Sequence, residues 1–428
     1  MLTPIKDIEQ RSQVKLSSAY DEILAGEPLY VKSIKEEEES DGFCFKIEKT
    51  GDNYCLSTSY YMGVDWVKEG LPIQVLPKIE GIDDRPVDYM RMLTEALEEP
   101  ENAKHLDGLL TVDFNAEPIT IPGAEDILSP FIVAQFILVL KNAVRKGLRR
   151  SYYPVTENLK AKVKGRILTT RNITRNLIKG NKIDNYCSYQ QYGLDSRENR
   201  LLKRALSVSS QILNRFIVVD DVLSLKQTIA QISSYFREVS DEFDPASLNL
   251  PIGNNPIFRD YNKALEFGKL ILRHNAYGLE KKASGEHTTP PYWIDMSKLF
   301  ELYLFKKLRK VYSCDEIIYH KKFNKLEPDF LLKPGFGVPM VIDAKYKPRY
   351  HDGSVELDDI RQVSAYARMK GVHATLDVDK QTSIACLFIY AHPECPDAIE
   401  DRISSNRMRE LPSYFDIFKL GIALPLKY

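Results

Sequence analysis

Residues 327–347 constrain this chain more than any other stretch. They read Glu327-Pro328-Asp329-Phe330-Leu331-Leu332, then a Pro334-Gly335-Phe336-Gly337 turn, then Met340-Val341-Ile342-Asp343-Ala344-Lys345-Tyr346-Lys347. Two short apolar runs joined by a Gly-rich turn predict a buried hairpin. Asp329 precedes the first strand. Asp343 and Lys345 are two residues apart, so an extended strand points both to one face. Two carboxylates and an ammonium converging there are suited to holding Mg2+ (or Mn2+) by oxygen and to activating water against a phosphodiester, with the lysine orienting that water or stabilising developing charge. A lone Asp-x-Lys on a surface hairpin is equally a plain salt bridge. Here a helix over Ile294–Tyr312 comes first, with Met296, Leu299, Phe300, Tyr303, Leu304 and Leu308 on its apolar side and Glu301 among them. A second helix follows with Asp359, and with Gln362 and Tyr366 four apart on one face.

The rest of the chain reads as three domains, a multidomain α+β protein. Residues 1–126 form a β-rich domain with strands at Leu29–Ile34, Gly42–Lys49, Asn53–Ser59 and Leu71–Ile79, and with Glu36–Glu39 as a solvated loop. Residues 127–285 form a helical middle domain, with helices over Pro130–Gly147, Arg197–Phe216, Val222–Val239 and Asp260–Arg273. The Gly/Ser/Thr/Pro-rich stretch 275–292 is expected to be a linker or exposed loop. Residues 286–428 form a C-terminal α/β domain, with Ile384–Tyr390 as a further buried strand.

Charge divides the same way. Residues 1–126 carry 12 Lys and Arg against 27 Asp and Glu; residues 127–428 carry 47 against 33. The first part repels a polyanion and suits a protein partner, whereas the second suits DNA. The sharpest excess is 141–182, with 13 basic residues and the single acid Glu157. Within it Lys160, Lys162, Lys164 and Arg166 alternate, which on an extended segment makes a one-faced basic stripe for DNA phosphates, for a protein partner or for solvent. The longest uncharged apolar stretch, Ile127–Leu140, is 14 residues against the ~20 that a bilayer needs, so no membrane span is expected. Met1–Arg11 has no basic segment followed by an apolar one, and the six cysteines form no Cys-x-x-Cys pair. A cytoplasmic chain without a disulfide framework is the expectation. The seven histidines have no HxxxH or HExxH spacing and are expected to be structural or superficial.

Glu301, Pro328-Asp329, Asp343-Ala344-Lys345 and Gln362-x-x-x-Tyr366 together resemble the PD-(D/E)xK nuclease core in its QxxxY variety. Leu71–Ile79 (LPIQVLPKI), Gly147–Tyr153 (GLRRSYY), Val163–Ile167 (VKGRI) and Asp195–Lys203 (DSRENRLLK) extend the resemblance, over roughly residues 60–370, to the McrC family, the nuclease subunit of McrBC-type modification-dependent restriction systems. The resemblance implies a small mixed sheet flanked by helices. It implies Asp329, Asp343, Glu301 and the Ala344 carbonyl as metal ligands, Lys345 as the catalytic lysine, and Gln362 and Tyr366 in support. It also implies a separate McrB-like AAA+ GTPase hexamer and double-stranded DNA, modified at 5-methylcytosine, as partners. The chain has no G-x-x-x-x-G-K-[ST] phosphate loop of its own. Two other readings stand beside this one: a stand-alone QxxxY-type repair nuclease, and a non-catalytic adaptor that activates an AAA+ ring.

Overall fold

The computed structural model describes residues 5–9, 13–16, 24, 29–34, 43–51, 53–77, 79, 85–113, 116–122, 128–216, 223–253, 255–281, 286–324, 326–334, 338–351, 353–395, 399, 402–403 and 408–427. The expected Glu36–Glu39 loop and residues 335–337 of the expected Pro334–Gly337 turn lie outside the described residues. The chain is mixed α/β and forms two compact units: residues 1–131 with 284–428, and residues 132–283.

Among the described residues the first unit is built on four sheets. A four-stranded antiparallel sheet runs in the order Gln13–Lys15, Asn53–Thr58, Phe43–Thr50, Leu29–Ser33. Its inward side chains, Cys44, Phe45, Ile47, Tyr54 and Leu56, bury together with Leu71, Ile73, Val75 and Trp293. A five-stranded sheet runs Ile5–Glu9, Leu71–Leu76, Tyr61–Lys68, Tyr292–Asp295, Leu110–Val112. The expected linker at 275–292 is therefore corrected. Helix Arg259–Lys281 runs well into it, strand Glu286–Thr289 pairs with Ile119–Pro122, and Tyr292 already belongs to the five-stranded sheet. The sequence misled because Thr, Pro and Tyr satisfy either a loop or a short buried strand, and only the neighbouring strand decides. Gly63 makes that pairing possible: a Cβ there would stand 2.0 Å from the Tyr292 carbonyl oxygen. The Trp293 indole N–H donates to buried Asp65 at 2.8 Å across the same junction. The two outer expected domains thus share one sheet.

A six-stranded mixed sheet completes this unit, in the order Ile317–Tyr319, Phe330–Leu332, Met340–Lys345, Ala385–Ala391, Ile417–Ile422, Arg409–Glu410. The first three strands pair antiparallel, as the hairpin pattern predicts; Met340–Lys345, Ala385–Ala391 and Ile417–Ile422 are parallel. Ala385–Ala391 is buried at every residue, which explains its unbroken apolar run. Helix Met296–Val311 starts at Asp295, whose side chain accepts the Lys298 N–H, and it buries every residue of the expected apolar side. Phe305, Tyr319 and Phe330 stack where that helix meets the sheet, with centroids 4.5 and 5.1 Å apart. Helix Leu357–Ala367 sends Ile360, Val363 and Tyr366 into the core beside Val341 and Phe388.

In the second unit, helices Arg197–Phe216, Leu223–Tyr235 and Arg259–Lys281 follow the expected periodicity. The Asp195–Lys203 block is a latch. Asp195 holds Arg200 and accepts the Ser240 N–H, while buried Asn199 donates to the carbonyls of Arg149 and Leu194 and accepts from Tyr261. Helix Leu128–Arg145 continues through Lys141 to 18 residues and is long and apolar enough to cross a membrane by length and composition. It is also 78% buried in protein, as a core helix is.

The basic stretch is not one extended stripe. Strand Ser151–Lys160 ends at Lys160, Ala161 (φ 51°) and Gly165 (φ 67°) reverse the chain, and Arg166–Ile167 returns on the other side of Asp184–Gly193. Alternation of charge predicts a stripe only while the backbone stays extended. Gly165 can approach the central strand because it has no side chain: a Cβ would lie 2.5 Å from the Ser188 carbonyl oxygen. Lys160, Lys162, Lys164 and Arg166 are all exposed around this reversal, with Lys164 Nζ 4.0 Å from the Tyr189 ring centre.

Candidate active site

The site is assembled from the two ends of the hairpin and the two helices that flank it. Asp343 and Lys345 share one strand face, as their spacing predicts, and Lys345 Nζ lies 2.8 Å from Asp343 Oδ2. Asp329 sits where the neighbouring strand begins. Its Oδ2 accepts the Ala344 N–H at 2.8 Å, in place of a backbone partner, so the Asp-x-Lys strand is pinned to the Asp329 carboxylate. Glu301 reaches in from helix Met296–Val311 and meets His320 Nε2 at 3.1 Å. His320 Nδ1 faces Glu327 at 3.1 Å, and its backbone N–H donates to the Asp329 carbonyl. One donor atom each from Glu301, His320 and Asp329 lie within 4.8 Å of one another.

Glu301, His320, Asp329, Asp343, Ala344, Lys345 and Gln362 line one cavity of about 350 Å³, together with Tyr60, Lys298 and others from the same unit. The Gln362 amide donates to the Tyr366 hydroxyl at 3.0 Å, and Tyr366 is buried behind it. Lys160, Lys162, Lys164 and Arg166 belong to the second unit.

Burial, with the charges of Glu301 and Asp343, pushes the Asp329 carboxyl well above the ordinary carboxylate range. Burial also raises Asp343, against the pull of Lys345. For Lys345 burial works the other way, but Asp343, Asp359 and Asp329 outweigh it and hold the ammonium above the usual lysine value. Two crowded carboxylates and one secured ammonium form a site short of positive charge. Asp343 Oδ2 is buried against the Lys345 ammonium. The donors are oxygen-rich, with one imidazole at the edge, a set that fits Mg2+ or Mn2+ rather than a soft metal.

Three participants escaped the sequence reading. His320 was expected among the structural histidines; no spacing marks it, and its positive φ of 48° is visible only in the fold. Asp359 was noted on its helix but not as a partner of the lysine. Lys347 continues the alternation of Asp343 and Lys345, a signal that was available; its Nζ bonds Asp359 at 2.6 Å and also meets Glu356.

A family model, the McrBC 5-methylcytosine restriction system component, matches residues 56–376. The chain belongs to this family of restriction-system components, so the resemblance read from the motifs is borne out at that level. No curated protein matches the chain. Among solved structures, a chain from the refined half-complex of the tetradecameric assembly of Thermococcus gammatolerans McrB AAA+ hexamers with bound McrC is 14% identical. That match covers 98% of this chain and 94% of that one at a TM-score of 0.38. A chain of the Thermococcus gammatolerans McrBC complex is also 14% identical, covering 72% and 87% at a TM-score of 0.29.

Proposed function

We propose that this protein is the metal-dependent DNA endonuclease subunit of a restriction complex that cuts modified DNA, and that its C-terminal part is a PD-(D/E)xK nuclease core. The observation that carries the reading is the meeting of Asp329, Asp343, Lys345 and Glu301 in one cavity. Asp329, Asp343, Glu301 and the Ala344 carbonyl would hold Mg2+ (or Mn2+), with His320 beside them. A divalent ion bound there supplies Lewis-acid polarisation of a phosphodiester and a lowered pKa for its water. Lys345 orients the attacking water and stabilises negative charge developing on the phosphorus oxygens. Asp343 and Asp359 hold that ammonium at its post. The Gln362–Tyr366 pair supports the cavity wall.

Family membership and the missing phosphate loop favour an external motor, an McrB-like AAA+ GTPase hexamer, with double-stranded DNA as substrate. The acidic N-terminal part and the exposed reversal at Lys160–Arg166 are the surfaces offered to the ring and to DNA. Intact Asp329, Asp343 and Lys345 weigh against a purely non-catalytic adaptor. The test combines this chain, an McrB-type GTPase, GTP, Mg2+ and a 5-methylcytosine-containing plasmid. Double-strand cleavage is expected with the wild type and not with Asp343→Asn, while both raise GTP hydrolysis equally. Stimulation without cleavage by either protein would establish the adaptor reading; cleavage without any GTPase dependence would establish the stand-alone nuclease.

A further inference from the structure

The carboxylate cavity has a wall to which no role has been given. It comes from the five-stranded sheet and the start of helix Met296–Val311, where Tyr60 and Lys298 line the cavity together with Glu301, Asp329 and Asp343. Lys298 stands on a fixed mount. Asp295 pairs with Tyr61 in the sheet, and its N–H donates to the Leu109 carbonyl at 2.9 Å. The Met296 N–H donates to the Tyr60 carbonyl at 3.2 Å. Asp295 Oδ1 then accepts the Lys298 N–H at 3.0 Å as the helix cap. The first turn of the helix is thus tied to the sheet before Lys298 is reached.

The charge of Lys298 is held differently from that of the other lysines of the cavity. Lys345 is paired with Asp343 and Asp359, and Lys347 with Glu356 and Asp359. Among the described residues Lys298 has no carboxylate partner; its Nζ donates at 2.5 Å to a neutral acceptor, the Asp107 carbonyl. Glu301 is three residues further along the same helix face, where Cβ atoms stand about 5–6 Å apart. Long helical side chains lean toward the helix N-terminus, and this one leans away from Glu301 to the Asp107 loop. Lys298 is half-buried, so its ammonium has given up part of its water without gaining an acid. One of its three N–H donors is used, and two remain for a ligand.

Resting on the nuclease reading above, we propose that Lys298 is a DNA-binding residue of this cavity and holds the phosphate next to the scissile one. An ammonium with no acid beside it suits a phosphate monoanion, whereas Lys345, held between Asp343 and Asp359, is committed to the reacting centre. Lys298 and Glu301 are one turn apart on one helix. Successive phosphates of one strand are about 3.4 Å apart along the duplex axis, a step that a lysine side chain spans. A strand gripped at two phosphates a nucleotide apart does not slide along the cavity, which fixes the scissile bond for attack. The ligand class is therefore a polynucleotide strand bearing two adjacent phosphates rather than an isolated phosphodiester.

The experiment uses the full-length chain in Mg2+ with two small probes, thymidine 5′-monophosphate and thymidine 3′,5′-bisphosphate, and reads affinity by titration calorimetry. The wild type should bind the bisphosphate about 10-fold more tightly, the scale of one hydrogen bond to a charged group. Lys298→Gln keeps an N–H donor for the Asp107 carbonyl but lacks the charge, and it should bind the two probes equally. Lys298→Arg should recover part of the preference, and it keeps the test open if Lys298→Gln fails to fold. On duplex DNA the slope of log K against log salt should shrink by about 0.9 in Lys298→Gln, one phosphate contact. An unchanged probe preference and salt slope in that variant would leave Lys298 as a loop anchor and overturn the proposal. So would a wild type that binds neither probe. Mg2+-dependent DNA cleavage by the wild type separates the two readings: if it cuts DNA while the probe preference ignores Lys298, the lysine assignment alone is wrong. If it prefers the bisphosphate through Lys298 but cuts no DNA, the phosphate contact stands and the nuclease reading falls.

Discussion

Lys345 Nζ lies 3.4 Å from Asp359 Oδ1, a carboxylate brought by the helix after the hairpin rather than by the hairpin itself. Asp359 also binds Lys347 and the Tyr350 hydroxyl, and the positive charge of Lys345 and Lys347 keeps its carboxyl below the ordinary range despite burial. In the proposed nuclease site it would act through the lysine. Asp359→Asn should lower cleavage by ~10-fold or more, because a modest misplacement of an orienting group is that costly. The loss should fall on kcat more than on KM, with Asp359→Glu recovering part of it. Equal kcat values in wild type and Asp359→Asn would remove Asp359 from the positioning of Lys345.

Asp343→Asn and Lys345→Ala remove the charge of the proposed metal ligand and the ammonium. Each should cut Mg2+-dependent cleavage by ~10²-fold or more, the scale of losing one transition-state stabiliser. Circular dichroism should show both folded. Wild-type cleavage rates in both variants would defeat the catalytic assignment.

Metal binding should be readable without any DNA. Burial and neighbouring carboxylates raise both Asp329 and Asp343, so a divalent cation would relieve a cost of charging them that exists in the folded state alone. Mg2+ or Mn2+ at about 100 times its Kd should stabilise the wild type by about 2.7 kcal/mol. Asp329→Asn should melt at a temperature that is much less sensitive to the ion. Scanning calorimetry with and without Mg2+ compares them.

Asp65 is buried and serves the Trp66 backbone N–H at 2.8 Å, the Trp293 indole N–H at 2.8 Å and Lys32 Nζ at 3.1 Å. Asp65→Ala strands a buried donor at the seam between the early strands and Tyr292–Asp295. It should cost about 1–3 kcal/mol, seen as a lower denaturation midpoint. An unchanged midpoint would mean that the seam holds without this bond.

Replacing Lys160, Lys162, Lys164 and Arg166 by Ala tests the reversal in the second unit. If all four touch phosphates, the slope of log K against log salt should shrink by roughly 3–4, at about 0.9 per contact. An unaltered slope with weakened binding to the GTPase would give the surface to the protein partner.

The hairpin, the helix before it and the shared face of Asp343 and Lys345 were all legible in the sequence, because alternation and helical spacing are local properties of the chain. The family could be read for the same reason: its blocks are contiguous. Long-range pairing was not. The sequence separates Gly63 from Tyr292 by more than two hundred residues, and only their close approach in the sheet turns a supposed linker into a strand. The Lys160–Arg166 alternation looked like a stripe until two positive-φ residues bent it, and nothing in the spacing of charges reports a φ angle. His320 and Asp359 come from segments that periodicity treats independently. Side chains from distant segments meet only when the sheet order and the loops between strands are set, and that order belongs to the packed core rather than to any one stretch of residues.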